Sequence, residues 1–399
     1  MAARDIKLIL SGFLLALFSS FGQTFFIALF SAEIRAEFGL SHGAFGSIYS
    51  LATLASGFMM LWVGAALDRA SLRIYSTGAI AALAGSCLLL ASATSPYLLL
   101  LALFGLRLAG QGMMSHASVT GMARAFTRNR GKAIALATLG HPAGEAILPI
   151  AVVTAALAVG WRNVWIAAAM ALMAGLVLLH RLLGRAGASP QPGGGATAGA
   201  GTGSYTRAAV LRDLRFYLMV PALIGPSFVV TGLFFHQVHL TEVKGWDLAW
   251  FASCFAAYAA ASTAGLMLSG ASIDRLGAVR LMPIYLVPLG VGCAILALGS
   301  HDVVAVAFMG LAGLTSGAAV AVVTAMWAEV YGIGHLGAIR ALAASLSVVS
   351  SALGPAAMGW LIDAGVPIDA IAMGCAAYLL GANLLLLAAF SRAATSRRA

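Results

Sequence analysis

Long apolar runs fill most of the chain, and short polar segments separate them. Each run holds about 20 residues or more, the length that a helix needs to cross ~30 Å of hydrocarbon. Runs of this length with so few charges are typical of transmembrane helices. We predict twelve spans, with approximate bounds 8–30, 43–67, 74–93, 96–123, 131–159, 163–182, 213–240, 247–271, 280–299, 302–330, 337–364 and 368–391.

The composition agrees with this pattern. Of the 399 residues, 61% are hydrophobic and only 9% are charged, whereas a soluble globular protein carries about 25% charged residues. The four cysteines all lie inside apolar runs without metal-site spacing, so we expect them to pack as small hydrophobic side chains. The chain is therefore predicted to be an all-α membrane protein without a metal or cofactor.

The basic residues lie mostly on one side of the predicted spans. With a cytoplasmic N-terminus, 19 of the 23 lysines and arginines fall at cytoplasmic ends or loops, and Arg107 lies inside a span. Only Arg35, Arg162 and Lys244 fall on the opposite side. This positive-inside asymmetry predicts that both termini are cytoplasmic, in a multi-pass protein of the cell inner membrane. The net charge of +10 then reflects topology and does not indicate a nucleic-acid partner.

One long polar segment, rich in Gly, Pro and Ser, divides the chain. It is "RAGASPQPGGGATAGAGTGSYT" (185–206), between the sixth and seventh runs, and its composition is typical of a flexible linker. We therefore predict an N-terminal six-helix half over 1–184, a cytoplasmic linker over 185–210 and a C-terminal six-helix half over 211–399.

The two halves repeat each other at a constant offset of 206 residues. "GAALDRASLR" follows the second run and "GASIDRLGAVR" follows the eighth, and 131–149 matches 337–355 at the same offset. A constant offset at distant places indicates duplication, and duplicated halves are a recurring transporter plan with a binding site near the bilayer midplane. The matched pairs are Gly64 and Gly270, Asp68 and Asp274, Arg69 and Arg275, Gly131 and Gly337, and Pro149 and Pro355.

These Gly-x-x-x-Asp-Arg loops resemble the signature of the major facilitator superfamily, and the resemblance covers essentially the whole chain. "RLAGQG" (107–112) is similar to the arginine-containing stretch of that family's fourth span. The first loop has Ser71 where a glycine is usual, whereas the second keeps Gly277. The resemblance implies a monomer with two pseudo-symmetric six-helix bundles that rock around a central site.

The resemblance also implies a conformational latch at the cytoplasmic side, and the alternative is an ordinary solvated loop. The latch residues would be Gly64, Asp68, Arg69, Gly270, Asp274 and Arg275. Three further stretches resemble the monocarboxylate and oxalate/formate branch: "VLRDLRFY" (210–217), "RGKAIALATLG" (130–140) and "ALGPAAMGWLIDAG" (352–365). They imply a small organic anion as substrate.

Arg107 is the foremost candidate for a substrate contact. It lies roughly 16 Å from Pro96 along the helix, close to mid-membrane. An arginine there costs about 2.5–3.5 kcal/mol, so it should face a cavity or a partner. A guanidinium can bind a carboxylate with two hydrogen bonds; the alternative is a structural ion pair with Glu145. Gln111 lies one turn on and would add a hydrogen bond.

His141 and Glu145 stand four residues apart on one face of the fifth span. Burial disfavours the charged form of a carboxyl group and an imidazole titrates near neutral pH, so the pair could accept and release a proton. The alternative is a hydrogen-bonded histidine with a glutamate neutralised by Arg107. Gly140 and Gly144 predict a close-packed or bent segment that lines a cavity.

Four other polar positions are further candidates. Gln23 and Tyr258 are candidates for substrate binding, although a lone glutamine also joins membrane helices and a tyrosine often only packs. Glu329 and Arg340 flank the turn between the tenth and eleventh spans. They are candidates for a gating ion pair, with simple loop charges as the alternative.

These features predict a secondary-active symporter for a small organic anion and a proton, surrounded by membrane lipid. No phosphate-binding loop, zinc motif or nucleophile motif occurs, so we do not expect an enzyme. The first alternative is an efflux pump for amphipathic or drug-like compounds. A membrane receptor that transports nothing is the alternative from another class.

Overall fold

The computed structural model describes residues 3–126, 129–184, 205–332 and 335–396. Every regular element in these ranges is a helix, and twelve helical stretches are long and apolar enough to cross a membrane. The predicted all-α fold with twelve spans is confirmed. Most of the predicted linker, 185–204, lies outside the described residues. Spans 1 to 12 are Arg4–Gly22, His42–Ala66, Leu72–Ser92, Pro96–Ala125, Arg130–Val159, Trp161–Leu183, Leu214–Phe235, Leu248–Leu276, Ala278–Leu298, Asp302–Tyr331, Leu336–Asp363 and Ile368–Phe390.

Serine side chains fix the starts of three spans in the first half. The hydroxyls of Ser41, Ser71 and Ser95 each accept a hydrogen bond from the backbone amide three residues further on. The first amides of a helix have no partner inside the helix, so such caps stabilise the helix start. Spans 2, 3 and 4 begin directly after these serines.

The ends of the helices repeat at the same offset as the sequence motifs. The short helices Ser31–Phe38 and Gln237–Lys244 start and end 206 residues apart. The starts of spans 2 and 8, 3 and 9, 4 and 10, and 5 and 11 also differ by 206 residues. The duplication inferred from two motifs therefore extends to the secondary structure of both halves.

The described residues form two compact units. Two short pieces of the second half belong to the first unit. In one of them the Phe235 ring packs on Phe45 and Tyr49, with ring centroids 5.0 and 4.7 Å apart. The first unit takes the described residues of Met1–Gly195 with Phe234–His239 and Leu248–Ser253; the second takes those of Ala196–Leu233, Leu240–Asp247 and Cys254–Ala399.

The two units use different packing at their centres. In the first, the Phe26 and Phe30 rings pack on Trp165 with centroids 5.2 and 5.3 Å away. In the second, spans 8 and 10 cross so closely that a Cβ on Gly317 would lie 1.8 Å from the Ser262 carbonyl oxygen. Small residues allow such close helix crossings in membranes, so a side chain at position 317 would force these spans apart.

Several spans are interrupted. Span 5 consists of helices Arg130–Thr138 and Gly140–Val159, so the irregularity predicted near Gly140 is present. Span 9 consists of Ala278–Tyr285 and Val287–Leu298. Breaks of this kind are stable in a membrane where neighbouring helices cover the backbone.

A cluster of contacts joins three spans of the first unit at the face opposite the Asp68 loop. The guanidinium of Arg162, in span 6, forms an ion pair with Glu37 and donates a hydrogen bond to the Ala93 carbonyl oxygen at 2.7 Å. Its Cζ lies 4.7 Å from the Trp161 ring centroid. Arg162 thus joins the segment after span 1, the end of span 3 and the start of span 6.

The second unit has an equivalent cluster with its charges exchanged. Lys244 follows span 7, and its Nζ donates to the Gly299 carbonyl oxygen at 2.7 Å and pairs with Asp369, in the first turn of span 12, at 2.7 Å. Gly299 and Ala93 are 206 residues apart. The positively charged residue is therefore Arg162 on span 6 in the first half and Lys244 after span 7 in the second half. Equivalent elements are joined in both halves.

We predict that Lys244→Met lowers the stability of the protein. The Lys244 side chain is 2% exposed, and hydrogen bonds to charged groups contribute about 1.5–3 kcal/mol each. The unfolding temperature of the purified protein in detergent should fall by several degrees, whereas Lys132→Met, at an exposed lysine, should leave it unchanged. Equal unfolding temperatures for the two variants would contradict this account.

Candidate functional site

Span 1 is distorted where it meets span 4. After the 3₁₀ turn Ser19–Gly22, Gln23 adopts an extended backbone (φ −86°, ψ 153°), and a helix resumes at Thr24. A Cβ on Gly22 would lie 2.2 Å from the Leu106 carbonyl oxygen, and one on Gly110 would lie 2.6 Å from the Gly22 Cα. The two glycines thus let the distorted backbone of span 1 pack directly on span 4.

Span 4 has a π-helical stretch, Arg107–Met114, at this contact. Arg107 Nη1 donates hydrogen bonds to the Gly22 carbonyl oxygen (3.0 Å) and to Thr24 Oγ1 (3.4 Å). Its Cζ lies 5.1 Å from the centroid of the Tyr49 ring, and the Tyr49 hydroxyl is hydrogen-bonded to Thr24 Oγ1 at 2.6 Å. Arg107 therefore stabilises the backbone at the break, while Thr24 and Tyr49 orient it.

The charge of Arg107 has no counter-charge in the described part of the chain. Its side chain is 1% exposed, and none of the ion pairs between described residues includes it. The ion pair with Glu145, considered from the sequence, does not form in this structure. Arg107 Nε has no hydrogen-bond partner, and no bond joins Nη2 to a described residue either. One edge of the guanidinium is therefore unused by the protein.

Span 5 contacts the same distorted part of span 1. Cβ atoms on Gly140 and Gly144 would lie 2.2 Å from the Phe13 carbonyl oxygen and 2.1 Å from Ser20 Oγ, so the predicted close packing is present. His141 Nδ1 lies 3.2 Å from Ser19 Oγ. The single Ser19 hydroxyl hydrogen is donated to the Ala16 carbonyl oxygen, so Ser19 accepts a hydrogen bond from His141 Nδ1.

Three predicted site residues keep unused polar groups. Glu145, Gln23 and Gln111 are each half-buried. None of them has a side-chain hydrogen bond or ion pair with another described residue. Glu145 stands one turn after His141, so the carboxyl group is available to a proton or solute while the imidazole is held by Ser19.

Tyr258 lies in span 8 of the second unit, with an exposed fraction of 8%. Its ring centroid is 6.3 Å from that of Phe255, and a Cβ on Gly313 would meet its carbonyl oxygen at 2.3 Å. These contacts place Tyr258 in a packed helix crossing. Its role in substrate binding remains a prediction.

Comparison with known proteins identifies the family. The sequence matches the family model of the Major Facilitator Superfamily over residues 12–278. The chain belongs to this superfamily. No curated protein matches the sequence. The superfamily assignment makes the protein a multi-pass membrane transporter, which fits the expectation that it is not an enzyme.

Solved structures of superfamily transporters have the same fold. A bacterial homolog of the human lysosomal transporter Spinster, inward-facing and unoccupied, aligns with a TM-score of 0.69 at 16% identity, covering 98% of this chain and 94% of the homolog. The nucleoside transporter NupG aligns with a TM-score of 0.74 at 13% identity, covering 98% and 99%. A point mutant of NupG gives 0.77 at 12% identity, covering 97% and 100%. At these identities the likeness shows the fold alone.

The two signature loops of this superfamily member make different contacts. In the first half, Asp68 forms an ion pair with Arg124 at the end of span 4, and Arg124 Nη1 also donates to the Leu67 carbonyl oxygen at 2.8 Å. Arg69 is exposed. Gly64 faces Met60, whose Cε would lie 3.3 Å from a Cβ there. The loop is thus joined to span 4 through Asp68.

In the second half, Glu329 makes the equivalent connection. Its carboxylate accepts hydrogen bonds from the amides of Ala278 (2.7 Å) and Val279 (3.1 Å), the first residues of span 9. Asp274 and Arg275 are exposed, and neither forms an ion pair with a described residue. A Cβ on Gly270 would meet nothing within 4 Å. The second-half connection therefore starts from span 10 instead of the signature loop.

The difference between Ser71 and Gly277 now has a physical reason. Ser71 caps span 3 with its own hydroxyl, whereas Gly277 has a left-handed backbone (φ +79°) that favours glycine. Glu329 therefore supplies the cap for span 9. It does not form the ion pair with Arg340 considered from the sequence, and Arg340 is exposed. A gating role for these two residues remains a prediction.

We predict that Glu329→Ala loosens the start of span 9, because loss of a helix cap costs about 0.5–2 kcal/mol. Hydrogen–deuterium exchange at the amides of Ala278 and Val279 should accelerate. The matched variant Asp274→Ala, on the exposed signature loop, should leave this exchange unchanged. Faster exchange with Asp274→Ala than with Glu329→Ala would show that the signature loop makes the connection after all.

Proposed function

We propose that this transporter moves a small organic anion together with a proton by alternating access. The observation that carries the proposal is the buried guanidinium of Arg107, which has no carboxylate partner among the described residues. A buried charge is strongly unfavourable unless an opposite charge neutralises it. An anionic solute would supply that charge during transport.

The contacts of Arg107 favour a carboxylate as the anionic group. Nη1 already bonds to span 1, whereas Nε and Nη2 form the unused edge. Two adjacent N–H donors match the two oxygens of a carboxylate, which supports a monocarboxylate-like substrate. Gln111, Gln23 and Tyr258 would complete the binding site. Access for the anion requires movement of the span 1 segment around Gln23, where the helix is already interrupted.

Glu145 would carry the proton, and His141, one turn before it and hydrogen-bonded to Ser19, would take part in proton transfer. The Glu145 carboxyl group is half-buried without a partner among the described residues, so its protonation breaks no existing contact. Rocking of the halves 1–184 and 211–399 would move the site between the two sides. Gly64, Asp68, Arg69, Gly270, Asp274 and Arg275 would act as the latch. We propose that the signature loops and both termini face the cytoplasm and that the protein lies in the inner membrane. The symporter would act as a monomer.

The test uses purified protein in sealed vesicles that contain a pH-sensitive dye. With an inward proton gradient and a panel of small mono- and dicarboxylates, we predict that one class of anion acidifies the lumen more than in protein-free vesicles. Arg107→Ala should abolish this signal. Glu145→Gln should keep uptake of the radiolabelled anion but lose its coupling to protons.

Arg212→Ala is the matched control, because Arg212 is an exposed arginine outside this site. It should transport as the unmodified protein does. Full, proton-coupled transport by both Arg107→Ala and Glu145→Gln would overturn the site assignment. Export of lipophilic cations without any response to anions would favour the efflux pump.

A further inference from the structure

Spans 9 and 12 of the second unit meet at a break in span 9. Helix Ala278–Tyr285 ends there and helix Val287–Leu298 begins, between Pro283 and Pro288. Proline lacks the amide that a helix needs, so Pro288 cannot donate the hydrogen bond that the Ile284 carbonyl oxygen would accept in a continuous helix. Asn383 Nδ2, in span 12, donates to the Pro283 carbonyl oxygen at 2.9 Å. This contact fixes the distance between the spans at one point.

Beyond the break, small residues leave a groove between the two spans. Gly290 and Ala294 of span 9 face Ala376 and Ala377 of span 12 across a cavity of about 390 Å³. Asn383 is the single polar side chain among the described residues that line this groove. A Cβ on Gly290 would first meet Leu379 Cβ at 3.8 Å. The groove therefore results from missing side-chain volume along both walls.

The groove is open to the lipid side of the unit. Both walls are membrane spans, and the rim residues Val291 and Leu380 are 45% and 64% exposed. Apolar cavities of this kind do not hold water, so hydrocarbon is the phase that can fill it. From Met373 to Asn383 the groove extends for about 15 Å along span 12, roughly half of a ~30 Å hydrocarbon core.

A charged residue lies at the start of span 9, before the break. Val287, Val291 and Ala294 recur at spacings of four and three residues, which place them on one side of helix Val287–Leu298, and Arg280 lies in the preceding helix Ala278–Tyr285. Arg280 is exposed and forms no ion pair with a described residue. It lies about 9 Å along the helix from Leu286, where the groove begins. A phosphate at the membrane surface would be close to Arg280 when a chain enters the groove.

We propose that this groove binds one acyl chain of an anionic phospholipid, with its phosphate at Arg280. The geometry gives each part of the lipid a matching partner. The acyl chain fills the space that the small side chains leave between spans 9 and 12, and the Arg280 guanidinium pairs with the phosphate of the headgroup. The site lies within the second unit and does not depend on the proposed transport substrate.

The experiment uses phosphatidylglycerol with a photoreactive diazirine in one acyl chain, reconstituted with the full-length protein. After illumination, peptide mapping should find the strongest cross-links at 286–294 and 373–383. The double variant Ala294→Leu and Ala377→Leu fills the groove and should lose most of this labelling. Gly381→Leu adds the same kind of side chain to span 12 where a Cβ meets nothing within 4 Å, and should keep it.

Arg280→Gln tests the headgroup contact separately from the groove, because Arg280 does not line the groove. It should weaken labelling by phosphatidylglycerol and leave labelling by the zwitterionic phosphatidylcholine probe unchanged. Labelling spread evenly over all exposed spans, or unaffected by the filled groove, would overturn the proposal. Absence of labelling together with a dimeric mass in light scattering would also overturn it and assign the groove to a second copy of the chain.

Discussion

A guanidinium ion buried among membrane helices, without a carboxylate partner among the described residues, is the constraint on which the first unit depends. The protein stabilises the Arg107 side chain with one backbone carbonyl, one hydroxyl and the face of an aromatic ring. The carbonyl is available because span 1 leaves its helical path at Gln23, and Gly22 and Gly110 bring it within reach. The break, the π-helical stretch and the glycine contact therefore act together, and one edge of Arg107 stays without a partner among the described residues.

Duplication explains why the two halves are joined in the same places with different chemistry. At one face, Arg162 with Glu37 and Lys244 with Asp369 connect equivalent elements with exchanged charges. At the other, Arg124 joins the end of span 4 to the loop before span 3, and Glu329 joins the end of span 10 to the start of span 9. The fold requires a connection at each point, but the charged side chain can stand on either element and can have either sign. The two halves could therefore diverge in these residues.

The sequence predicts the spans well because length and apolarity alone define them. Arg107, His141 and Glu145 were recognisable because charge is rare in such segments. The residues that contact them are not recognisable in the sequence. Tyr49 and Ser19 lie at no characteristic spacing from Arg107 and His141, and the importance of Gly22 is visible only from its contact with Gly110. For Glu329 the sequence predicts either an ion pair with Arg340 or a simple loop charge, since the amides of span 9 carry no sequence signal. Contacts made through backbone atoms are invisible to residue patterns.

The central claim, that an anion neutralises Arg107, is tested most directly by ligand binding without transport. Binding to the folded state raises the free energy of unfolding, and therefore the unfolding temperature, by an amount that grows with the logarithm of the ligand concentration above Kd. We would titrate the purified protein and Arg107→Gln with small carboxylates and with uncharged nucleosides, and record unfolding temperatures. The account predicts that one carboxylate class stabilises the unmodified protein and leaves Arg107→Gln unchanged. Equal stabilisation of both proteins by a carboxylate, or by a nucleoside alone, would contradict it.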